Sequence, residues 1–210
     1  MNTNIDYSLY LVTDSKLVRE RKLEDVVEEA ISGGVTLVQL REKNISSLEF
    51  YNLAKSIKKV TSSYKVPLII NDRLDIALAV DADGIHIGQN DLPCEVVRKF
   101  LEKDKIVGVS AHNLSEALKA EKKGATYLGC GAVFSTLTKT DVSVLKKEEL
   151  KKIKDAVSIP IVAIGGINEK NVLDLSNTNI DGIAVVSAII GKNDIRCASQ
   201  KMKEKFYKLK

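Results

Sequence analysis

The chain is 210 residues long, 44% hydrophobic and 29% charged, with 32 Lys+Arg against 28 Asp+Glu for a formal net charge of +4. That length can bury a full core, and the composition excludes a disordered or fibrous chain and a membrane helix, since no apolar stretch approaches the ~20 residues a bilayer requires. With aromatics at 5% and no Trp there is little to stack on bases, so neither nucleic acid nor membrane is expected as a partner.

Short apolar runs alternate with longer amphipathic ones along the chain. Ser8–Thr13 opens the series as a strand, followed by a helical pattern in which Leu23, Val26, Val27, Ala30 and Ile31 share a face and Gly33-Gly34 stops the turn. Leu37–Arg41 is the second strand, with a helix through Leu48, Tyr51, Ala54 and Ile57 behind it. Leu68–Asn71 is the third, with a helix over 72–80, and Gly84–Ile87 the fourth, with a helix over 93–101. Lys105–Ser110 and Tyr127–Cys130 follow as the fifth and sixth strands, with helices over 114–123 and 146–157. Pro160–Ile164 and Gly182–Val186 close the series, and their helices are placed from Asn168 and from near Ile189.

Eight strand–helix pairs, with strands apolar enough to be buried on both faces, predict an α/β fold: a single-domain (β/α)8 TIM barrel over residues 1–210. A doubly wound open sheet has the same pattern and is the alternative. The N-terminus has no basic segment followed by an apolar one, so a secretory signal is not expected. The three cysteines, Cys94, Cys130 and Cys197, match neither a zinc pattern nor a disulfide framework. A reducing, cytoplasmic location is the expectation.

Polar residues that interrupt the apolar pattern fall at the carboxyl ends of the strands, where parallel α/β folds collect their chemistry. Gln39, Arg41 and Lys43 alternate, so period-2 geometry sends them to one side, as a clamp for an anion would need. Asp72, after Asn71, and Asp91, before Pro93, can each cap a helix. Two carboxylates on neighbouring strand ends can instead hold Mg²⁺ together with substrate phosphates and water. Ser110 and His112 end the fifth strand. Thr136, Thr138 and Lys139 follow the sixth as hydroxyls and a point charge, which a phosphate site would use. Gly165-Gly166 and Val186-Ser187 end the seventh and eighth, where barrels commonly bind phosphate and where a helix N-terminus behind Ser187 would favour it. One diphosphate with Mg²⁺ on one side and a single phosphate on the other suggest a transfer between two phosphorylated small molecules.

The runs Val38-Gln39-Leu40-Arg41-Glu42-Lys43, Ile70-Asn71-Asp72-Arg73, Gly84–Gln89 with Asp91-Leu92-Pro93, Gly108-Val109-Ser110, Thr136-Leu137-Thr138-Lys139 and Ala163–Ile167 closely resemble the thiamine phosphate synthase family, in order, from about Leu9 to Ile190. The resemblance implies a phosphate-binding barrel that joins 4-amino-2-methyl-5-hydroxymethylpyrimidine diphosphate to 4-methyl-5-(2-phosphoethyl)thiazole and releases pyrophosphate. It places the pyrimidine diphosphate on Gln39, Leu40, Arg41, Glu42, Lys43, Asn71, Ser110 and Lys139, and Mg²⁺ on Asp72 and Asp91. The thiazole phosphate falls to Thr136, Leu137, Thr138, Gly166, Val186 and Ser187, with Arg41, Lys43, Ser110 and Lys139 as the catalytic set. Ala132 and Ser135 stand where the family often has Pro, and Asn90 where an acid is usual. A related tautomerase on the same barrel, using His112 as a base, and a non-catalytic binder of thiamine precursors are the rival readings. A homo-oligomer is compatible with any of them.

Overall fold

The computed structural model describes residues 5–18, 20–135 and 144–209. Eight parallel strands close on themselves in chain order: β1 (Leu9–Val12), β2 (Leu37–Leu40), β3 (Leu68–Asn71), β4 (Gly84–Ile87), β5 (Ile106–Ala111), β6 (Tyr127–Gly131), β7 (Ile161–Ile164) and β8 (Gly182–Val185). Because β1 pairs with β8 as well as with β2, the sheet has no edge and the open-sheet alternative is excluded. The helices around it are α1 (Leu23–Ser32), α2 (Ser47–Ser63), α3 (Leu74–Ala79), α4 (Cys94–Phe100), α5 (Leu114–Lys122), α6 (Lys147–Ala156) and α7 (Ile195–Tyr207). Among the described residues no helix is long and apolar enough to cross a membrane.

Three helix expectations are corrected. The segment from Asn168 forms only a 3-10 turn, Val172–Leu175. Its amides are drawn elsewhere: Asn171 Oδ1 accepts from the Asn168 N–H at 2.8 Å, and both Asn side chains donate to the Gly166 carbonyl. Such local bonds compete with the helical ladder. The last helix begins at Ile195 rather than near Ile189, because Asp194 caps it by accepting from the Cys197 N–H. Residues 188–190 are instead a buried turn in the core. At the third helix Asp72 has φ 59°, a left-handed conformation that keeps it out of the helix, so α3 starts at Leu74 with Arg73 as its cap residue.

Alternate residues of each strand serve two cores. Outward-facing Leu9, Val38, Ile70, Ile85, Val107, Leu128, Ala163 and Ile183 pack against the helices. Inward-facing Tyr10, Leu37, Ile69, Ile106, Tyr127, Val162 and Ala184 fill the barrel. One step further along the strands the inward positions become Gln39, Asn71, His86 and Ser110. The interior therefore changes from apolar to polar towards the carboxyl end, and that change positions the site.

At the opposite end, one device recurs on alternate strands. The residue just before each even-numbered strand accepts the N–H at the start of the preceding strand: Thr36 from Leu9, Asp83 from Leu68, Thr126 from Val107 and Asp181 from Ile161. The two threonine hydroxyls return their protons to the Leu9 and Val107 carbonyls. The two aspartates take Lys58 and Lys154, at 2.7 and 2.6 Å. Each clamp satisfies a strand-end amide that would otherwise lack a partner.

Candidate active site

A cleft of about 440 Å³ opens at the carboxyl ends of the strands. It brings together Gln39, Arg41, Lys43, Asn71, Asp72, Asp91, Ser110, Gly166, Val186 and Ser187, ten of the positions expected from sequence. Leu40 and Glu42 do not line it. Leu40 falls on the outward phase of β2 and is fully buried in the core beneath the helices. The Glu42 carboxylate accepts from the Ser15 hydroxyl, and burial, against that bond, raises its pKa. Thr136, Leu137, Thr138 and Lys139 lie outside the described residues.

The strand geometry aims the cations. Thr13 Oγ1 accepts from the Arg41 N–H at 3.0 Å and the Gln39 carbonyl accepts from the Thr13 N–H at 2.9 Å, which carries the pairing of β1 and β2 past the strand ends. The alternation that buries Gln39 then presents Arg41 and Lys43 at the rim. A rim with two cations is complementary to an anionic ligand.

The two carboxylates face each other across the loops that follow β3 and β4. Asp72 donates its N–H to the His86 carbonyl at 2.8 Å, and its left-handed backbone swings its carboxylate to Lys43, whose Nζ is 2.6 Å away. Asp91 Oδ2 accepts from the Gly88 N–H at 2.7 Å, so it closes its own loop and does not cap α4, whose cap residue is Pro93. Burial pushes the Asp72 carboxyl up, but bonds from Lys43, Asp91 and Asn71 and the Lys43 charge outweigh it and hold the group below the usual carboxylate range. For Asp91, burial, partly offset by the Gly88 N–H and reinforced by the Asp72 charge, raises it. A carboxylate whose ionisation is opposed by a neighbouring carboxylate is relieved by a cation the two share.

Among the described residues no group of three or more His, Cys, Asp or Glu encloses a metal. The Asp72–Asp91 pair nonetheless fits Mg²⁺. This ion prefers oxygen donors and takes few of them from protein, completing its shell with water and phosphate.

On the far side, Gly165 and Gly166 have φ 104° and 66°. A Cβ on Gly166 would collide with the Ser135 carbonyl, so the loop after β7 needs glycine for both reasons. Gly165 and Gly166 line the cleft wall together with Val186 and Ser187. Behind Ser187 the chain makes a single turn, in which the Gly191 N–H donates to the Ser187 carbonyl at 3.2 Å, and not the start of a long helix. His112 also lines the cleft, with Glu116 Oε2 accepting from its backbone N–H and held 2.9 Å from its Nδ1.

The floor of the cleft holds residues that sequence reasoning did not assign. Gln39 Nε2 donates to Tyr10 Oη at 2.8 Å, Tyr10 Oη lies 2.8 Å from Tyr127 Oη, and Tyr127 Oη lies 2.8 Å from His86 Nδ1. His86 Nε2 is 2.9 Å from Ser110 Oγ, so Ser110 meets His86 and does not cap α5, whose cap is Asn113. The available signal was the run Gly84-Ile85-His86-Ile87-Gly88, a polar ring between glycines on the inward phase of a strand. None of Cys94, Cys130 and Cys197 lines the cleft.

Comparison with known proteins identifies the family of the chain. A family model described as thiamine monophosphate synthase matches residues 9–189. The chain is 60% identical over 201 residues to a thiamine-phosphate synthase of Clostridium tetani, covering 96% of each chain. It is 57% identical over 209 residues to the thiamine-phosphate synthase of Clostridium botulinum strain Eklund 17B, covering 100% of this chain and 98% of the relative. Among solved structures, thiamine phosphate pyrophosphorylase from Pyrococcus furiosus superposes with a TM-score of 0.90 at 41% identity, covering 98% of both chains.

Proposed function

The chain belongs to the thiamine monophosphate synthase family, transferases of thiamine biosynthesis, and from that premise we propose a division of its cleft between two phosphorylated substrates. Residues 1–210 act as one catalytic domain in the cytoplasm. The protein joins 4-amino-2-methyl-5-hydroxymethylpyrimidine diphosphate to 4-methyl-5-(2-phosphoethyl)thiazole, giving thiamine phosphate and pyrophosphate. The observation that carries this reading is the convergence of Gln39, Arg41, Lys43, Asn71, Asp72, Asp91 and Ser110 on one side of a single cleft, with the Gly165-Gly166 turn, Val186 and Ser187 on the other.

On the first side, Gln39, Asn71 and Ser110 bind and orient the pyrimidine diphosphate, and Arg41 and Lys43 neutralise its phosphates, joined by Lys139. Asp72 and Asp91 hold Mg²⁺, which when bound offsets the charge of the departing pyrophosphate. On the second side, the main chain of Gly166, Val186 and Ser187, with the Thr136 and Thr138 hydroxyls, receives the thiazole phosphate. Fixing both ends in one cleft brings the thiazole nitrogen to the exocyclic carbon of the pyrimidine. The bond from that carbon to the diphosphate oxygen breaks, the electron-rich aminopyrimidine supports the cation left at the carbon, and the thiazole nitrogen attacks it to form the new bond. The work of the chain is positioning and charge stabilisation, and no side chain acts as a nucleophile.

The test is to supply purified protein with both substrates, with and without Mg²⁺, and to follow thiamine phosphate and pyrophosphate together. Equimolar products that require Mg²⁺ support the proposal. Folded protein that binds both substrates and yields no product overturns it.

A further inference from the structure

Beneath the cleft, four hydrogen bonds join Gln39, Tyr10, Tyr127, His86 and Ser110 into one chain across the barrel interior. Gln39, Tyr10 and Tyr127 are at most 3% exposed and His86 is 9% exposed. The space for it is built in. A Cβ on Gly108 would overlap the Tyr127 ring, and one on Gly129 would stand 3.0 Å from His86 Cε1, so both rings lie over positions that have no side chain.

Such a chain has a direction, because each hydroxyl carries one proton and a neutral imidazole carries one. An amide nitrogen donates only, so Tyr10 Oη accepts from Gln39 and passes its own proton to Tyr127 Oη. Tyr127 in turn donates to His86 Nδ1, which leaves the imidazole proton on Nε2, facing Ser110 Oγ. Ser110, having accepted, has its own proton left for the cleft it lines. Burial raises the pKa of both tyrosines, which keeps both phenols protonated. The phosphate oxygens and pyrimidine ring nitrogens of the ligand, which only accept, suit the same direction.

We propose that Tyr127 and His86 are positioning residues that, through this one-way chain, lock His86 as the Nε2–H tautomer and make Ser110 a hydrogen-bond donor to the pyrimidine diphosphate. The inference rests on the placement of Ser110 in the pyrimidine-diphosphate half of the cleft. It adds that Tyr127, which does not line the cleft, and His86, whose Nε2 faces Ser110, set through Ser110 how well that substrate is held.

The protein has only two histidines, so ring-¹⁵N-labelled full-length protein gives a simple NMR spectrum, which His112→Gln assigns. The wild type shows His86 protonated at Nε2 with a bare Nδ1. Tyr127→Phe, which keeps the ring and removes the donor, converts this to a mixture of tautomers. It raises KM for the pyrimidine diphosphate roughly tenfold, the size of one hydrogen bond to a charged ligand, and leaves KM for the thiazole phosphate within about twofold. Ser110→Ala has an effect of the same size, and the Tyr127→Phe/Ser110→Ala double variant is no worse than Ser110→Ala alone, because both changes remove one bond. His86→Phe removes the donor to Ser110 directly, raises KM for the pyrimidine diphosphate to the same extent, and serves if Tyr127→Phe does not fold. An Nδ1–H signal in the wild type, or additive losses in the double variant, overturns the proposal while a defective Ser110→Ala leaves Ser110 in the site. A Ser110→Ala protein with unchanged KM removes Ser110 from the site, and the proposal falls with it.

Discussion

Lys43 Nζ lies 2.6 Å from Asp72 Oδ2, so a cation at the rim of the cleft is engaged by a carboxylate proposed to hold the metal. Half of the Lys43 side chain is exposed, and this pair is a weak contributor to stability. On the proposed reading its value lies in exchange: a divalent cation on Asp72 would release Lys43 to the phosphates. Lys43→Gln is expected to raise KM for the pyrimidine diphosphate by roughly tenfold or more, while Mg²⁺ binds at least as tightly as in the wild type. Steady-state kinetics with Mg²⁺ titration calorimetry separates the two effects, and a weaker Mg²⁺ affinity would count against the exchange.

Asp91→Asn removes the charge while keeping an oxygen for the Gly88 N–H, so its loop is expected to keep its shape. The Mg²⁺ concentration for half-maximal turnover should rise at least about tenfold, as loss of a metal partner does elsewhere. Asp72→Asn is expected to behave alike. Full turnover of either variant at limiting Mg²⁺ would remove that carboxylate from the metal.

The overlap of any Cβ at residue 108 with the Tyr127 ring predicts a cost for Gly108→Ala. An overpacked core loses roughly 1–3 kcal/mol, and here relaxation must tilt Tyr127 away from Tyr10 and His86. A fall in the urea midpoint together with loss of the Nε2–H signal of His86 is the expected pair of results. A normal midpoint would show that the interior yields more easily than its packing implies.

The barrel floor also predicts behaviour in alkali. Burial raises Tyr7 from 10.0 to about 12, against a bond from Thr126, and pushes Tyr10 and Tyr127 well up. Groups whose pKa rises on folding hold more protons in the folded state than in the unfolded state once the pH passes about 10. Their contribution to stability is complete below that pH and is lost as the pH climbs through about 12. Ultraviolet titration of the six tyrosines should show a late phase that coincides with unfolding, and Tyr7→Phe, Tyr10→Phe and Tyr127→Phe should each reduce its amplitude.

Asp181 accepts from the Ile161 N–H and from Lys154 at the end of the barrel away from the cleft. Asp181→Ala should cost about 1–3 kcal/mol, the cost of unpairing a strand amide and a lysine, with kcat and both KM values unchanged. Chemical denaturation and kinetics on the same preparation check it.

Much of this arrangement is legible in the order of residues. Strand boundaries follow from β-branched runs between Gly, Pro and Asp, and alternation along β2 separates Arg41 and Lys43 from Leu40 and Glu42 once the inward phase is known. What alternation does not reveal is the partner across the barrel. Tyr127 meets His86 through the register of β4, β5 and β6 and Tyr10 across the closed barrel, partners 41 and 117 positions away in sequence. Periodicity also overstates the helices where short polar side chains compete for the backbone, as at Asn168 and Asn171, or where a left-handed residue such as Asp72 delays the first turn.

The clamps formed by Thr36, Asp83, Thr126 and Asp181 lie at the amino ends of the strands, a strand's length from the cleft. These four positions therefore bear on stability at the end of the barrel away from the chemistry. A lineage adapting to a hotter or colder habitat can retune four positions beneath the barrel while the rim keeps its substrates, and a protein engineer has the same freedom.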